Sequence, residues 1–490
     1  MKKTLKIPPQ IANIPETLEK AGFEAYVVGG CVRDLLVGKK PNDWDVTTNA
    51  TPEEIIKLFP KTFYENEYGT VGVVNENEED ETLKVVEITP YRLESSYSDY
   101  RRPDSVKFSN NIEDDLARRD LTVNAIAYNV SKGQLIDPYK GQEDLKDKVI
   151  RAVGNPDDRF NEDALRILRA IRLATELSFK IEEKTEKSIK NDAFLLKKIS
   201  FERIRDEFVK IIMSDNPKAG IELAHSLGIL EHIIPETIKG LHVKQNGDHI
   251  YDVWEHNLRA VQHSADNKWP LHVRLAALFH DVSKPETRLW SDEKKDYTFY
   301  GHDVVGGRVT KKILERLKFP VKLTDTVAKL VRYHLFFSDI EKITLSAVRR
   351  IVKNVGPENV WDLMKVRACD RIGMGRPKEK PYRLRKYEAM IEEAMRAPVS
   401  VGMLKTDGVI IMEVTHETPG PRLGWILHAL LEEVLENPEL NTEEYLNKRT
   451  LELAKMSDIE LKKLGEAGRD KKDEVEGQEI EEIRKRHWVK

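Results

Sequence analysis

Apolar residues change their spacing about a third of the way along the chain. Before residue 150 they fall in short runs that read as strands, Tyr26-Val27-Val28-Gly29-Gly30, Val71-Gly72-Val73-Val74 and Leu83–Ile88, set apart by turn signals. Helical stretches lie between them. In Thr51–Phe59, Thr51 suits an N-cap and Pro52 the first helical position, where a missing N–H loses no hydrogen bond. The first third predicts one mixed sheet with helices on one side. From Asn161 to His225 apolar positions recur every three or four residues, which predicts helices. Residues 250–375 read the same way, with loops predicted at Ser291–Tyr300 and Phe336–Ile340. Gly373–Pro381, with two glycines and two prolines, reads as a linker. Beyond Met456 the chain is mostly Lys and Glu, and the balance of charge favours a solvated extension over a partner-binding helix. The fold class expected is α+β in the first third and mostly α-helical afterwards.

Composition narrows the class. At 490 residues, and roughly 150 per domain, about three domains are expected, with cores large enough to need no staples. Two cysteines, Cys31 and Cys369, exclude a disulfide framework or a CxxC metal site. The apolar runs are short, such as Val409–Met412, far from the roughly 20 residues of a membrane span. The start, MKKTLKIPPQ, meets two prolines before any apolar stretch develops, so it does not read as a signal peptide. A soluble protein without a membrane partner, in the cytoplasm, is expected. Lys+Arg 80 against Asp+Glu 84 gives a net charge of -4, which excludes a wholly basic coat but not a local basic face.

Four pieces of the first third carry chemistry. Gly29-Gly30-Cys31-Val32-Arg33-Asp34 follows a strand and precedes a helix-like run. Glycines there let a phosphate approach the backbone, and Arg33 with the N–H groups of the helix start would complement it; the alternative is a tight connection. Asp43-Trp44-Asp45 lies ten residues on. On a strand, positions i and i+2 share a face, so the two carboxylates either face solvent or hold Mg²⁺. Glu113–Ala125 contains Arg119, Asp120 and Asn124 in a charged helix followed by a strand-like run. In Asn161–Arg172, the residues Asp163, Arg166, Arg169 and Arg172 step by three along a predicted helix, where an intrahelical salt-bridge ladder is the alternative to ligand binding.

Together these pieces resemble, in order, the motifs of the class II tRNA nucleotidyltransferases, the CCA-adding enzymes that share a family with bacterial poly(A) polymerases. The likeness covers roughly residues 20–235. It implies a nucleotidyltransferase head at 1–150, a helical neck and body for base selection and RNA binding at 151–245, a histidine-aspartate (HD) domain at 246–375, and a helical tRNA-binding tail with the charged extension at 376–490. It implies Asp43 and Asp45 as ligands of two Mg²⁺ ions in the transfer of a nucleotide from CTP or ATP to tRNA. Gly29, Gly30, Arg33 and Arg119 match phosphate and ribose contacts, Asp120 and Asn124 match the motif, and Arg169 and Arg172 match further nucleotide contacts. Asp163 and Arg166 match the pair that reads the base without a template. Cytosine and adenine both present an exocyclic amine beside an unprotonated ring nitrogen: a carboxylate accepts from the amine and a guanidinium donates to the ring nitrogen. Uracil and guanine present a carbonyl and a ring N–H there, and unpaired buried groups cost about 1–3 kcal/mol each. The segment Ile88–Asp104 resembles the family's flexible loop at full length, and Tyr68-Gly69-Thr70-Val71 resembles the CCA-adding form. An A-adding enzyme and a poly(A) polymerase stay open as alternatives.

Farther along, His256, His280-Asp281 and Asp370 resemble the H…HD…D pattern of HD phosphohydrolases, with His302 and His334 as added ligands for a second metal. Such ligands suit a divalent transition metal and metal-activated water. A hydrolase in which this centre does the main work is the rival from another class. Between Lys365 and Lys386, nine basic residues face two acidic ones; Arg371, Arg376, Lys378, Lys380, Arg383, Arg385 and Lys386, interleaved with Tyr382 and Tyr387, suit an RNA backbone, and a solvated helix face is the alternative.

Overall fold

The computed structural model describes residues 5–64, 69–76, 78–94, 106–247, 249–335, 343–396 and 400–489. Tyr68, residues 95–104 of the predicted flexible loop and the predicted break at 336–340 lie outside the described residues. The chain divides into two compact units, 1–334 with 365–377, and 335–364 with 378–490. Residues 335–364 thus group with the second unit rather than with 246–334, and the division at 377/378 falls inside the Gly373–Pro381 stretch.

The first unit begins with α1 (Pro9–Lys20), β1 (Ala25–Val28), α2 (Gly30–Leu36), β2 (Asp45–Thr48) and α3 (Pro52–Leu58). Thr51 and Glu54 close a capping box at the start of α3. Then follow β3 (Thr62–Tyr64), β4 (Val71–Val74), β5 (Val85–Pro90), β6 (Arg92–Glu94), β7 (Val106–Phe108), α4 (Ile112–Ala117), β8 (Ala127–Asn129) and β9 (Gln134–Ile136). Seven strands form one mixed sheet in the order β3-β4-β5-β2-β1-β8-β9, with β2 and β5 parallel and the other neighbours antiparallel.

All four residues of β1 are buried, so this central strand is covered on both faces. Ala25 and Val27 join a core with Ile11 and Leu18 of α1, Val32 of α2 and Ile55 of α3. Tyr26 and Val28 join a second cluster with Tyr91, Ala127, and Ile112 and Leu116 of α4. The expectation of helices on one side is therefore corrected: a strand apolar at every position needs cover twice, and α4 supplies part of it. Val28 pairs with Asp45, and Asp45 with Glu87. Residues directly opposite one another share a face, so both carboxylates emerge on the face that α4 covers only in part.

The rest of the first unit is mainly helical: α5 (Gly141–Asp147), α6 (Pro156–Glu162), α7 (Leu165–Leu177), α8 (Glu183–Asp192), α9 (Phe201–Met213) and α10 (Pro217–Ser226). Beyond them come the helices Val253–Asp266, Leu271–Phe279, His302–Arg316 and Val321–Tyr333. The loop predicted at Ser291–Tyr300 is instead most of a hairpin, Leu289–Ser291 with Asp296–Thr298. Its β-forming residues flank a charged turn, and the directly opposed Trp290 and Tyr297 rings meet edge-on, with centroids 5.2 Å apart.

In the second unit the Lys/Glu-rich segment forms one 29-residue helix, Asp458–Arg486, packed on the helix Pro421–Glu436. This corrects the expectation of a merely solvated extension. Leu461, Gly465 and Gly468 form a buried stripe, and its contact is backbone against backbone. A Cβ on Gly468 would lie 2.1 Å from the His428 carbonyl oxygen, and one on Gly465 would lie 2.6 Å from Trp425 Cα. Apolar spacing does not register a contact made by residues without side chains. Among the described residues no helix is long and apolar enough to cross a membrane.

Gly468→Ala should destabilise the second unit by about 1–3 kcal/mol, because the clash outweighs the helix propensity that Ala gains. Gly477→Ala in the same helix meets nothing within 4 Å and should stabilise by about 0.5–1 kcal/mol. Urea melts of the full chain check both, and equal shifts would show that the glycines do not mediate close packing.

Candidate active site and metal centre

One cleft of about 960 Å³ is lined by Gly30, Arg33, Asp43, Asp45, Arg119, Asp120, Asn124, Asp163, Arg166, Arg169 and Arg172. Gly29 stands behind it with φ +85°, and a Cβ there would lie 2.9 Å from Arg119 Nη1 and 3.5 Å from Asp45 Oδ2. Only glycine satisfies both the backbone conformation and the close approach of that guanidinium.

Strand β2 begins at Asp45, so Asp43 precedes the strand rather than lying on it. Trp44 between them is buried, Asp43 is exposed and Asp45 is half-buried, so the two carboxylates still reach one cleft. Burial pushes Asp45 up to about 6; Arg119 opposes this and Asp43 adds to it. Glu87, which sequence reasoning missed, lines the same cleft opposite Asp45. Its only signal is a polar residue between the buried Val86 and Ile88 of β5, and its meaning depends on a register between strands 40 residues apart in sequence. Carboxylate oxygens open to solvent fit Mg²⁺, which keeps much of its water and takes oxygen ligands.

The same cleft carries a wall of arginines, each held by a partner. Arg33 donates to Asp34 (2.9 Å) and to Asn124 Oδ1 (2.6 Å). Arg119 donates to Asp115 Oδ2 at 3.1 Å. The buried Asp115 also accepts from Arg118 at 2.8 and 2.6 Å. Arg169 Nε donates to Asp120 Oδ2 at 2.6 Å. Burial would raise the Asp120 pKa, but Arg169, Arg166 and the Asn124 amide hold it far below the usual carboxylate range. Arg172 pairs with Glu207 (2.6 Å) and Glu176 (2.9 Å).

The salt-bridge ladder weighed as the alternative to ligand binding does not form through Asp163, which lies outside the helix that the spacing predicts for it. Asp163 has extended geometry at the break between α6 and α7. Its carboxylate caps Leu165 N at 3.0 Å and accepts two bonds from Arg203, at 2.7 and 3.2 Å. Arg166 instead donates to Glu162 (2.5 Å) and to the carbonyls of Arg118 (2.8 Å) and Arg159 (3.3 Å). A capping side chain must leave the helix to reach its N–H groups, and that takes Asp163 out of register. Arg203, which lines the cleft, and Glu207, which holds Arg172 from behind it, are both on α9 and were also missed, because only packing of α9 on α7 brings them there.

A second cluster lies among the later helices of the first unit. One ligand atom each from His256, His280, Asp281 and Asp370 lies within 4.8 Å of the others, as does one each from Asp281, His302 and His334. All six residues are buried. His256 Nε2 stands 2.8 Å from His280 Nε2, 3.1 Å from Asp281 Oδ2 and 3.3 Å from Asp370 Oδ1. Nδ1 of His280, His302 and His334 lies 2.6 to 2.9 Å from a backbone carbonyl. That fixes Nδ1 as the protonated nitrogen and leaves each Nε2 lone pair facing the centre. Lys284 Nζ, 2.6 Å from Asp281 Oδ2, is a further charge that the sequence reading left out. Burial would raise the Asp281 pKa, but the charge of Lys284 and the His280 ring beside it hold it well below the usual range. Asp281 Oδ1 and His302 Nε2, both buried acceptors, stand 3.1 Å apart and neither takes a hydrogen bond in the described structure. Orphaned acceptors of this kind fit a divalent transition metal.

The basic stretch divides between the two units at 377/378, with Arg371 and Arg376 before the division and Lys378 after it. Lys380 pairs with the buried Glu388 at 2.7 Å, and Arg385 donates to the carbonyls of His487 and Trp488. Arg383 is exposed and Lys386 half-buried.

Comparison with known proteins follows this geometry. The family model described as "Poly A polymerase head domain" matches residues 25–151, that described as "Probable RNA and SrmB- binding site of polymerase A" matches 178–241, and "HD domain" matches 246–386. A CCA-adding enzyme of Lactobacillus helveticus is 50% identical over 209 residues, 42% of this chain and 51% of the relative. One from Lactobacillus johnsonii is 38% identical over 294 residues, 58% of this chain and 70% of the relative. The chain thus spans about half the length of the first of these relatives. The crystal structure of the Bacillus stearothermophilus CCA-adding enzyme in complex with CTP is similar at a TM-score of 0.59 and 27% identity, covering 91% of this chain and 98% of that one. The glycine turn, the paired carboxylates and the arginine wall therefore sit in a chain that belongs to the CCA-adding enzyme family.

Proposed function

We propose that the chain adds C, C and A to tRNA 3′ ends from CTP and ATP, without a nucleic-acid template, at the cleft of residues 25–215, and that it does so in the cytoplasm. The observation that carries this reading is one cleft whose lining brings the carboxylates of Asp43 and Asp45 together with Arg33, Arg119, Arg166 and Arg169. That combination of charges suits a metal-bound triphosphate, which must meet both a cation held by carboxylates and guanidinium groups. The Bacillus stearothermophilus enzyme solved with CTP supports the choice of nucleotide.

In this reading Asp43 and Asp45, with Glu87 beside them, hold two Mg²⁺ ions. Bound there, the metal supplies activation of the tRNA 3′-hydroxyl and neutralises charge on the departing pyrophosphate. Arg33 and Arg119 bind and orient the phosphates, and Gly29 and Gly30 let them come close. Asp163 and Arg166 read the base, with Arg169 and Arg172 as further contacts. Arg166 spends three hydrogen bonds on Glu162 and two carbonyls, which leaves two of its five N–H groups for a ring nitrogen. Its position is set before the nucleotide arrives, so selection costs little reorganisation. The basic residues from Arg371 to Lys386 would contact the tRNA backbone.

The orphaned acceptors Asp281 Oδ1 and His302 Nε2 support a second activity. His256, His280, Asp281 and Asp370 would hold a transition metal for phosphoester hydrolysis, with an RNA 3′ end bearing a cyclic phosphate as a candidate substrate.

Three tRNA transcripts, ending before CCA, after C and after CC, should all be extended to CCA and then stop. Growth on the CC-ended transcript alone would mean an A-adding enzyme, and long A tails a poly(A) polymerase. Asp45→Asn should lower incorporation by at least about a hundredfold, the scale on which charge stabilisation acts in phosphoryl transfer.

For the second centre, Asp370→Ala should lower bound transition metal, read by elemental analysis of the purified chain, and abolish metal-dependent phosphatase activity. Nucleotide incorporation should stay within about threefold, since the head residues make no use of Asp370. Unchanged metal content would overturn the metal assignment.

A further inference from the structure

We infer that Asn124 is a positioning residue that registers the triphosphate side of the cleft against the arginines of α7, acting through Arg33 and Asp120. The inference rests on the nucleotide reading of the cleft and gives one of its buried residues a distinct task.

Asn124 closes the short turn Thr122–Asn124 and is 6% exposed. Its Oδ1 accepts from Arg33 Nη1 at 2.6 Å, and its Nδ2 donates to Asp120 Oδ1 at 3.2 Å. Asp120 Oδ2 in turn accepts from Arg169 Nε at 2.6 Å. Side chains alone therefore connect α2 to α7, through Arg33, Asn124, Asp120 and Arg169. Both terminal guanidinium groups line the cleft.

The chemistry of the two neighbours dictates an amide. Arg33 can only donate and Asp120, as a carboxylate, can only accept, so the residue between them must offer one acceptor and one donor. This also sets which way the amide faces. A carboxylate at 124 would set acceptor against acceptor at Asp120. An alanine would release Arg33 from α7 while leaving the Asp120–Arg169 pair intact. Arg33 bonded to Asn124 is held at a fixed distance from Arg169, so the two ends of a nucleotide are recognised in one register. Loss of that register weakens nucleotide binding without removing any group that reacts.

The test uses the full chain with Asn124→Ala and the isosteric Asn124→Asp, which covers the case in which the alanine variant fails to fold. KM and kcat for CTP and ATP on tRNA are measured with Mg²⁺, beside equilibrium binding of CTP. The KM for both nucleotides should rise roughly tenfold or more, the scale of one charge-assisted hydrogen bond, with kcat at saturation changed only a few-fold. A purely structural role would instead lower the active fraction, so that apparent kcat falls while KM stays constant, and that result overturns the inference. Unchanged KM in both variants beside an active wild type overturns it alone. A wild-type chain that neither binds CTP nor incorporates nucleotide overturns the nucleotide reading, and this inference with it.

Discussion

The ion pair between the buried Asp120 and the partly exposed Arg169 is the constraint on which the cleft depends. Asp120 sits between the sheet and the helices that follow, and its carboxylate takes bonds from Arg169, from Asn124 and from Leu121 N. Removing Arg169 leaves the buried Asp120 carboxylate without its charged partner, which destabilises the folded chain. The same seam is sewn by Arg166 to the Arg118 carbonyl and by Arg159 to the Ala117 carbonyl. Guanidinium groups on α6 and α7 thus reach over to backbone and carboxylate groups around α4. These bonds hold the arginines of the cleft in place relative to α4.

The alternation of charge explains why so many arginines can crowd one cleft. Each carries its own acceptor: Asp34 for Arg33, Asp115 for Arg119, Asp120 for Arg169, Glu207 for Arg172. Asp115 and Asp120 are buried and held as anions by the guanidinium groups beside them. Arg119 reaches past its acceptor toward Asp45, and only because position 29 is glycine. The GG turn therefore does more than admit a phosphate. It lets a guanidinium stand beside Asp45 and moderate the rise in its pKa that burial causes.

How much of this was legible in the sequence depends on whether a contact is local. The GG-x₂-R turn and the Asp43/Asp45 pair were readable because both are set by spacing within a few residues, and these residues line the same cleft. The arginines at 166, 169 and 172 were readable for the same reason. Asp163 was placed one step wrong: its side chain caps α7, a choice that periodicity does not encode. Glu87 and Arg203 reach the cleft only through strand register and helix packing, and neither leaves a local mark. The hairpin at 289–298 was hidden by its charged turn. A helix beyond Met456 was one of the two readings, a solvated helix or a frayed tail, but its packing was hidden because Gly465 and Gly468 pack by lacking side chains, the reverse of the signal that apolar periodicity detects.

The two centres also differ in a way that keeps their chemistry apart. The head offers carboxylate oxygens alone, with Asp43 exposed, a setting that favours a hard cation retaining its water. The second centre offers imidazole nitrogens together with Asp281 and Asp370, all buried, and three of the four rings are oriented by backbone carbonyls that fix the tautomer. Nitrogen ligands in a dry, pre-oriented set favour a transition metal over Mg²⁺. Ligand type and access to water would therefore direct the two kinds of ion to different centres. Lys284 belongs to the same logic: with its ammonium 2.6 Å from Asp281 Oδ2, it lowers the negative charge that the second centre presents. Binding there then depends more on imidazole donation, which further disfavours Mg²⁺ and leaves the open carboxylates of the head as its better site.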